Sequence, residues 1–224
     1  MSNIIVLAFI YLIGISLLLI FNELVYRRLN AKGEITRKFA HFASLLATIP
    51  FPYIFPSQWY VLVLAFLFAA VLFFTRNGKQ LRSIHDVERK SVGSYLLPIT
   101  IYTLFLIYTL SGNKLLYILP ILILSICDPM AAILGINIKS FNGRVKIFGR
   151  KLNKTWLGSG AFLLTSFIIS LIVLYFHFRI FNFEMLWLAI VLAIVTTFAE
   201  LISSRGFDNL SIPLSAVLVL TIYY

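Results

Sequence analysis

The chain has 224 residues, 61% hydrophobic and 12% charged, with a net charge of +11 and a mean hydropathy of +0.97. Soluble domains are about 45–50% apolar, so a single water-soluble core is excluded. A nucleic-acid binder is excluded too, because the basic residues fall in short gaps between apolar runs, as membrane topology demands. The single cysteine, Cys127, rules out a disulfide framework or a cysteine zinc site within the chain.

A membrane-spanning helix needs about 20 mostly apolar residues. Eight stretches qualify: 3–21, 39–56, 59–75, 94–110, 115–136, 156–176, 185–204 and 210–224. The first lacks a basic leader and a small-residue cleavage site, so it reads as a retained helix. The second and third form a tight helical hairpin around Pro52 and Pro56. Backbone polar groups in lipid must bond internally, so these stretches are helices. The expected fold is an all-α polytopic transmembrane bundle, with residues 1–224 as a single integral membrane domain.

Seventeen of the nineteen basic residues fall in alternate gaps between these stretches; only Lys114 and Arg179 lie on the other side. The positive-inside rule puts the seventeen in the cytoplasm and both termini outside. A bacterial plasma membrane is the expected location. Six of the eight acids, Glu23, Glu34, Asp86, Glu88, Asp128 and Asp208, gather toward the same face.

Four constellations carry candidate chemistry. In the second helix, Arg37, His41, Ser44 and Thr48 recur at helical spacing and form one polar stripe, which faces the bundle interior. His41 is read as a phosphate ligand, a proton carrier or a partner for a carboxylate. Next, Asp86, Glu88, Arg89, Lys90 and Ser91 crowd one junction before Gly93; a solvated charge run is the other reading.

The third constellation runs from Ser125 to Gly160. Asp128 closes an apolar run, and Ala131, Ala132 and Gly135 follow it as a strip of small residues where a helix or ligand can approach closely. A basic loop containing Lys151 then leads to Lys154, Thr155, Gly158 and Ser159 at the opening of the sixth helix. Free N–H groups and the positive dipole end suit phosphate there. Lysine adds a point charge, and a nearby carboxylate suits Mg²⁺. In the fourth, Glu200 lies inside the seventh helix, and an ionisable residue there is costly. Asp208 and Asn209 open the eighth helix, where either also serves as an N-cap.

Together these motifs resemble the polyprenol kinase family: dolichol kinase, phytol kinase and the CTP-dependent diacylglycerol kinase. The likeness covers about residues 23–214. It rests on Arg37, Lys38 and His41 in an RK-xx-H element, and on Asp128, Ala131 and Gly135 in D-xxA-xxxG. KTWLGS, with Lys154, Thr155, Gly158 and Ser159, matches K-[ST]-x-E-G-S, and Glu200, Asp208, Asn209 and Pro213 match E-(x7)-DN-(x3)-P. Leu157 stands where the family usually has Glu.

The resemblance implies phosphoryl transfer from CTP to a membrane lipid hydroxyl. Asp128, Glu200 and Asp208 are the implied Mg²⁺ ligands. Lys154 grips phosphate, with Arg37, Lys38, Arg89, Lys90, Lys151, Thr155, Gly158, Ser159 and Asn209 as further nucleotide or phosphate contacts, and His41 or an acid takes the hydroxyl proton. A similar layout occurs in phosphatidate cytidylyltransferase, so CDP-diacylglycerol synthesis is one alternative; a small-anion transporter is another.

Overall fold

The computed structural model describes residues 2–29, 33–76, 81, 83, 92–138, 143–147 and 150–223. The chain is an all-α polytopic membrane bundle. Its elements are α1 (Ser2–Leu29), α2 (Gly33–Thr48), α3 (Phe51–Ile54), α4 (Gln58–Arg76), α5 (Gly93–Ser111) and α6 (Leu115–Leu122). A π-helical turn (Ile123–Cys127) joins α6 directly to α7 (Asp128–Asn137). Then come β1 (Arg144–Ile147), β2 (Arg150–Thr155), α8 (Trp156–Phe178), α9 (Phe183–Ile202) and α10 (Asp208–Tyr223). Six helical stretches are long and apolar enough to cross a bilayer: Ile4–Arg28, Gln58–Thr75, Gly93–Ser111, Leu115–Ile136, Trp156–Phe178 and Phe183–Ile202.

α2 and α10, each 16 residues long, are shorter, yet α2 reaches both ends of the bundle. At one end Glu23 accepts from the Ser83 backbone N–H, Thr36 donates to the Ser83 carbonyl, Val92 N–H bonds the Arg205 carbonyl, and Asn209 reaches Gly93. At the other, Tyr117 donates its hydroxyl to the Thr48 carbonyl and Tyr108 to that of Pro52. The turn expected around Pro52 and Pro56 is present, but α2 and α4 do not close into the expected tight hairpin: α1 touches both, and α4 packs mainly on α5. α2 stops at Thr48 ahead of Pro50. Phe55 takes an extended conformation, as a residue before proline must. Phe51 and Phe55 pack edge-on to each other at 5.0 Å, and Tyr11 of α1 meets Phe51 at 5.1 Å, which fixes the turn against the first helix.

α6 is the axis of the bundle. Leu115, Leu116, Tyr117, Leu119, Pro120 and Ile121 are all buried, as expected of a helix that is apolar all round. The periphery is the converse. Among the described side chains of α1 only Leu19, Asn22 and Glu23 are buried, while Phe9, Ile10, Ile13, Leu17 and Phe21 are exposed, the surface of a helix that faces hydrocarbon.

The basic loop after α7 is not featureless. Arg144–Ile147 alternates charged and apolar residues, the period of a strand, and pairs antiparallel with Arg150–Thr155, with Lys146 opposite Lys151 and an irregularity between Arg144 and Lys146. Val145 is buried beneath this hairpin.

Candidate active site

Asp128 sits where the longest buried helix changes pitch. Pro129 has no N–H to give, so the regular i→i−4 ladder loses a donor, and Ile123–Cys127 winds as a π-helix. Such bulges concentrate at functional sites. The Asp128 carboxylate is only 3% exposed, and a lone charge so buried is strongly disfavoured. Its partners come from α2. Lys38 donates Nζ–H to Asp128 Oδ2, and His41 Nδ1 lies 3.6 Å from the same oxygen. Lys38 and His41 are three residues apart and therefore share one helix face. Among the described residues, the other ring nitrogen of His41, Nε2, is buried with no hydrogen-bond partner.

A second ionic group forms beside the first. Lys154, the penultimate residue of β2, places Nζ 2.6 Å from Glu200 Oε1 and 3.7 Å from Asp208 Oδ2. Glu200 lies in the last turn of α9, closer to the helix end than its sequence position suggests, and is 3% exposed. Its other oxygen accepts from Ser159 Oγ at 3.2 Å. Burial works against the Lys154 ammonium, but Glu200, Asp208 and Asp128 outweigh it and hold the amine above the usual lysine range. Asp128 acts electrostatically on Lys154 as well, so the two groups are one neighbourhood. It is assembled from α2, α7, β2, α9 and α10.

The three acids divide between these groups. Among the described residues no three His, Cys, Asp or Glu side chains are placed to share one metal ion. Asp128 belongs to Lys38 and His41, whereas Glu200 and Asp208 flank a single cation, the Lys154 ammonium. That pair has the donor chemistry Mg²⁺ takes, one or two carboxylates completed by phosphate oxygens and water.

Other predicted residues have structural duties. Thr155 is the N-cap of α8, its Oγ1 accepting from the Gly158 N–H at 3.2 Å, so one of the free N–H groups at that terminus is already satisfied. Gly158 and Gly135 let α7 and α8 touch. A Cβ on Gly158 would lie 2.9 Å from the Ala131 carbonyl oxygen, and one on Gly135 would lie 2.9 Å from Thr155 Oγ1. The small-residue strip of the sequence is thus a helix–helix contact. Asn209 ties α10 to α5: its Nδ2 donates to the Gly93 carbonyl at 2.7 Å, and its own carbonyl accepts from Thr100 at 2.9 Å.

Arg37 lies next to Lys38 on α2, half-buried. Arg89 and Lys90 fall outside the described residues, and Lys151 is placed by its backbone alone, in β2. Leu157 is exposed in the first turn of α8. Sequence reading had Lys38 as a phosphate ligand and did not pair it with Asp128. The available signal was that a buried carboxylate in a span needs a cation. Glu23, one of the six gathered acids, bonds both Arg27 and the Ser83 backbone and so ties α1 to Ser83.

The chain is similar to a phytol kinase of Synechocystis sp., 26% identical over 197 residues, which cover 88% of this chain and 82% of the relative. No family model matches the chain, and no solved structure matches it.

Proposed function

We propose that this protein is a nucleotide-dependent lipid-alcohol kinase, which moves the terminal phosphate of CTP or another nucleoside triphosphate to the hydroxyl of a polyprenol, a phytol-like alcohol or diacylglycerol. The observation that carries this reading is the meeting of Lys38–Asp128 and Lys154–Glu200–Asp208 in one buried neighbourhood at one end of the bundle. The likeness to a phytol kinase along most of the chain points the same way. The excess of basic residues around that end orients it to the cytoplasm, in the plasma membrane of a bacterial cell.

Phosphoryl transfer needs positioning and charge neutralisation more than covalent chemistry. Lys154 leaves its two carboxylates to hold the phosphates, and Arg37 adds a second cation from α2. Glu200 and Asp208 are then the ligands for Mg²⁺, which when bound neutralises phosphate charge. Lys38 balances the charge of Asp128, whose carboxylate faces Nδ1 of His41. The unpartnered Nε2 of His41 takes the proton of the lipid hydroxyl while that oxygen bonds the terminal phosphorus. The phosphorus–oxygen bond to the nucleoside diphosphate breaks, and the diphosphate leaves. The lipid tail stays in the bilayer.

The test is turnover by the reconstituted protein with CTP or ATP labelled separately at the α- and γ-phosphates, against a panel of prenols, phytol and diacylglycerol. Lipid labelled only from the γ position is the expected product. Label from the α position identifies cytidylyl transfer, and lipid free of label with every pair overturns the kinase assignment.

A further inference from the structure

At the end of the bundle remote from these ion pairs, a cavity of about 740 Å³ opens between the tip of α3, the α5–α6 turn and the end of α8. α8 begins two residues after Lys154 and runs to this cavity. With 23 residues at 1.5 Å each it spans roughly 34 Å, about the hydrocarbon thickness of a bilayer. The cavity therefore sits at headgroup depth on the opposite membrane face.

Its lining joins two chemistries. Lys114, His177 and Asn113 supply polar groups, and Ile118, Val173 and Phe176 supply an apolar wall. No acid lines it. The Lys114 ammonium rests 3.8 Å over the ring of Tyr53, a contact that positions a cation without cancelling its charge. Among the described residues no carboxylate forms a salt bridge with it.

The sequence makes this lysine conspicuous. Between Gly93 and Asn137 it is the only basic residue, and between Trp156 and Ser204 the only one is Arg179, two positions beyond His177. Lys114 lines the opening itself, and Arg179 lies over the ring of Phe176, one of its wall residues. The volume far exceeds that of an inorganic ion, and the Val173–Phe176 wall leads from the ammonium along α8 toward the hydrocarbon.

We propose that this cavity binds the phosphate headgroup of an anionic membrane lipid, with the phosphate at Lys114 and His177 and the first part of the acyl chain along Val173 and Phe176. The proposal is independent of the kinase reading, because no residue is shared between the two sites.

Thermal unfolding of the purified full-length protein in a neutral detergent tests it, with added phosphatidylglycerol, phosphatidylcholine or inorganic phosphate. Phosphatidylglycerol is expected to raise the melting temperature of the wild type in a saturable way, with little effect from the other two. Lys114→Gln is expected to weaken that response about fivefold, the usual effect of one lost cation at an anionic lipid surface, and His177→Gln to weaken it further. Co-purifying lipid, counted per protein by mass spectrometry, is expected to fall in both variants, a readout that holds even if a variant melts earlier. An equal phosphatidylglycerol response in wild type and both variants overturns the proposal. So does stabilisation by phosphate alone, which identifies a free-anion site instead.

Discussion

Lys38 and Asp128, ninety residues apart in the chain, meet as a buried ion pair across α2 and the turn that begins α7. Neither charge is tolerable there alone. Removing one partner of a buried pair costs about 3–5 kcal/mol, whereas replacing both by apolar groups is often nearly neutral. Lys38→Met and Asp128→Leu are each expected to destabilise the fold by that amount, and the double substitution by clearly less than their sum. Guanidinium or thermal unfolding in detergent reads the cycle. Asp128→Asn is expected to lower turnover on the order of 10²–10³-fold, the scale on which loss of one oriented electrostatic group acts.

The three glycines around α7 and α8 give a contrast within one region. Gly135→Ala and Gly158→Ala each press a Cβ within 2.9 Å of Thr155 Oγ1 or the Ala131 carbonyl and are expected to cost about 1–3 kcal/mol by overpacking. Gly160, two residues on and so on the opposite side of α8, has nothing within 4 Å of its added Cβ. Gly160→Ala is therefore expected to be neutral or stabilising by up to about 1 kcal/mol through helix propensity. Melting temperatures of the three variants, measured side by side, check the ordering.

The Lys154 cluster sets an alkaline limit. Its amine is held above the usual lysine range by Glu200, Asp208 and Asp128, so the charged form binds its proton more tightly folded than unfolded. The resulting stabilisation is complete below the ordinary lysine pKa and is lost as pH rises through the elevated folded value. Wild-type stability is expected to stay level through neutral pH and to fall in the strongly alkaline range. Lys154→Met should be less stable at pH 7 and lack this component of the alkaline loss. Melting curves of both proteins from pH 7 upward decide the matter.

Asn209 joins two helices through its side chain and its carbonyl. Asn209→Leu removes the donor that bonds the Gly93 carbonyl, at an expected cost of about 0.5–1.5 kcal/mol. Asp208, its neighbour, then loses its fixed position, so turnover should fall more than stability alone explains. Comparing activity at a temperature where the variant remains folded separates the two effects.

The bundle was legible because lipid demands runs of about 20 apolar residues, and these are plain in the sequence. The start of α2 was not. Hydropathy begins that stretch at 39, while the helix begins at Gly33, because Lys38 is carried inside by its pairing with Asp128 and not by its own polarity. The candidate residues were also legible as types: Asp128, Lys154, Glu200 and Asp208 do come together. Their partition into two ion-paired groups was not, since spacing along the chain says nothing about which lysine faces which acid. Thr155, Gly158 and Asn209 show another limit. A residue that caps or packs a helix beside a site looks the same in sequence as one that touches a ligand. The β-hairpin left only the four-residue alternation Arg144–Ile147, hidden among topology charges.

The π-helical turn carries one residue more than an α-helix of the same reach needs. Deleting a single apolar residue from Ile123–Cys127 would let the ladder close regularly with both flanks still in phase, whereas winding all five residues as regular α-helix would rotate everything beyond them by about 100°. In that regular helix Asp128 would swing away from α2, and Gly135 away from Thr155, yet the segment would remain as greasy and nearly as long. Insertion into the membrane and assembly of the ionic centre are thus separable inheritances of the same helix, the one written in its composition and the other in its winding.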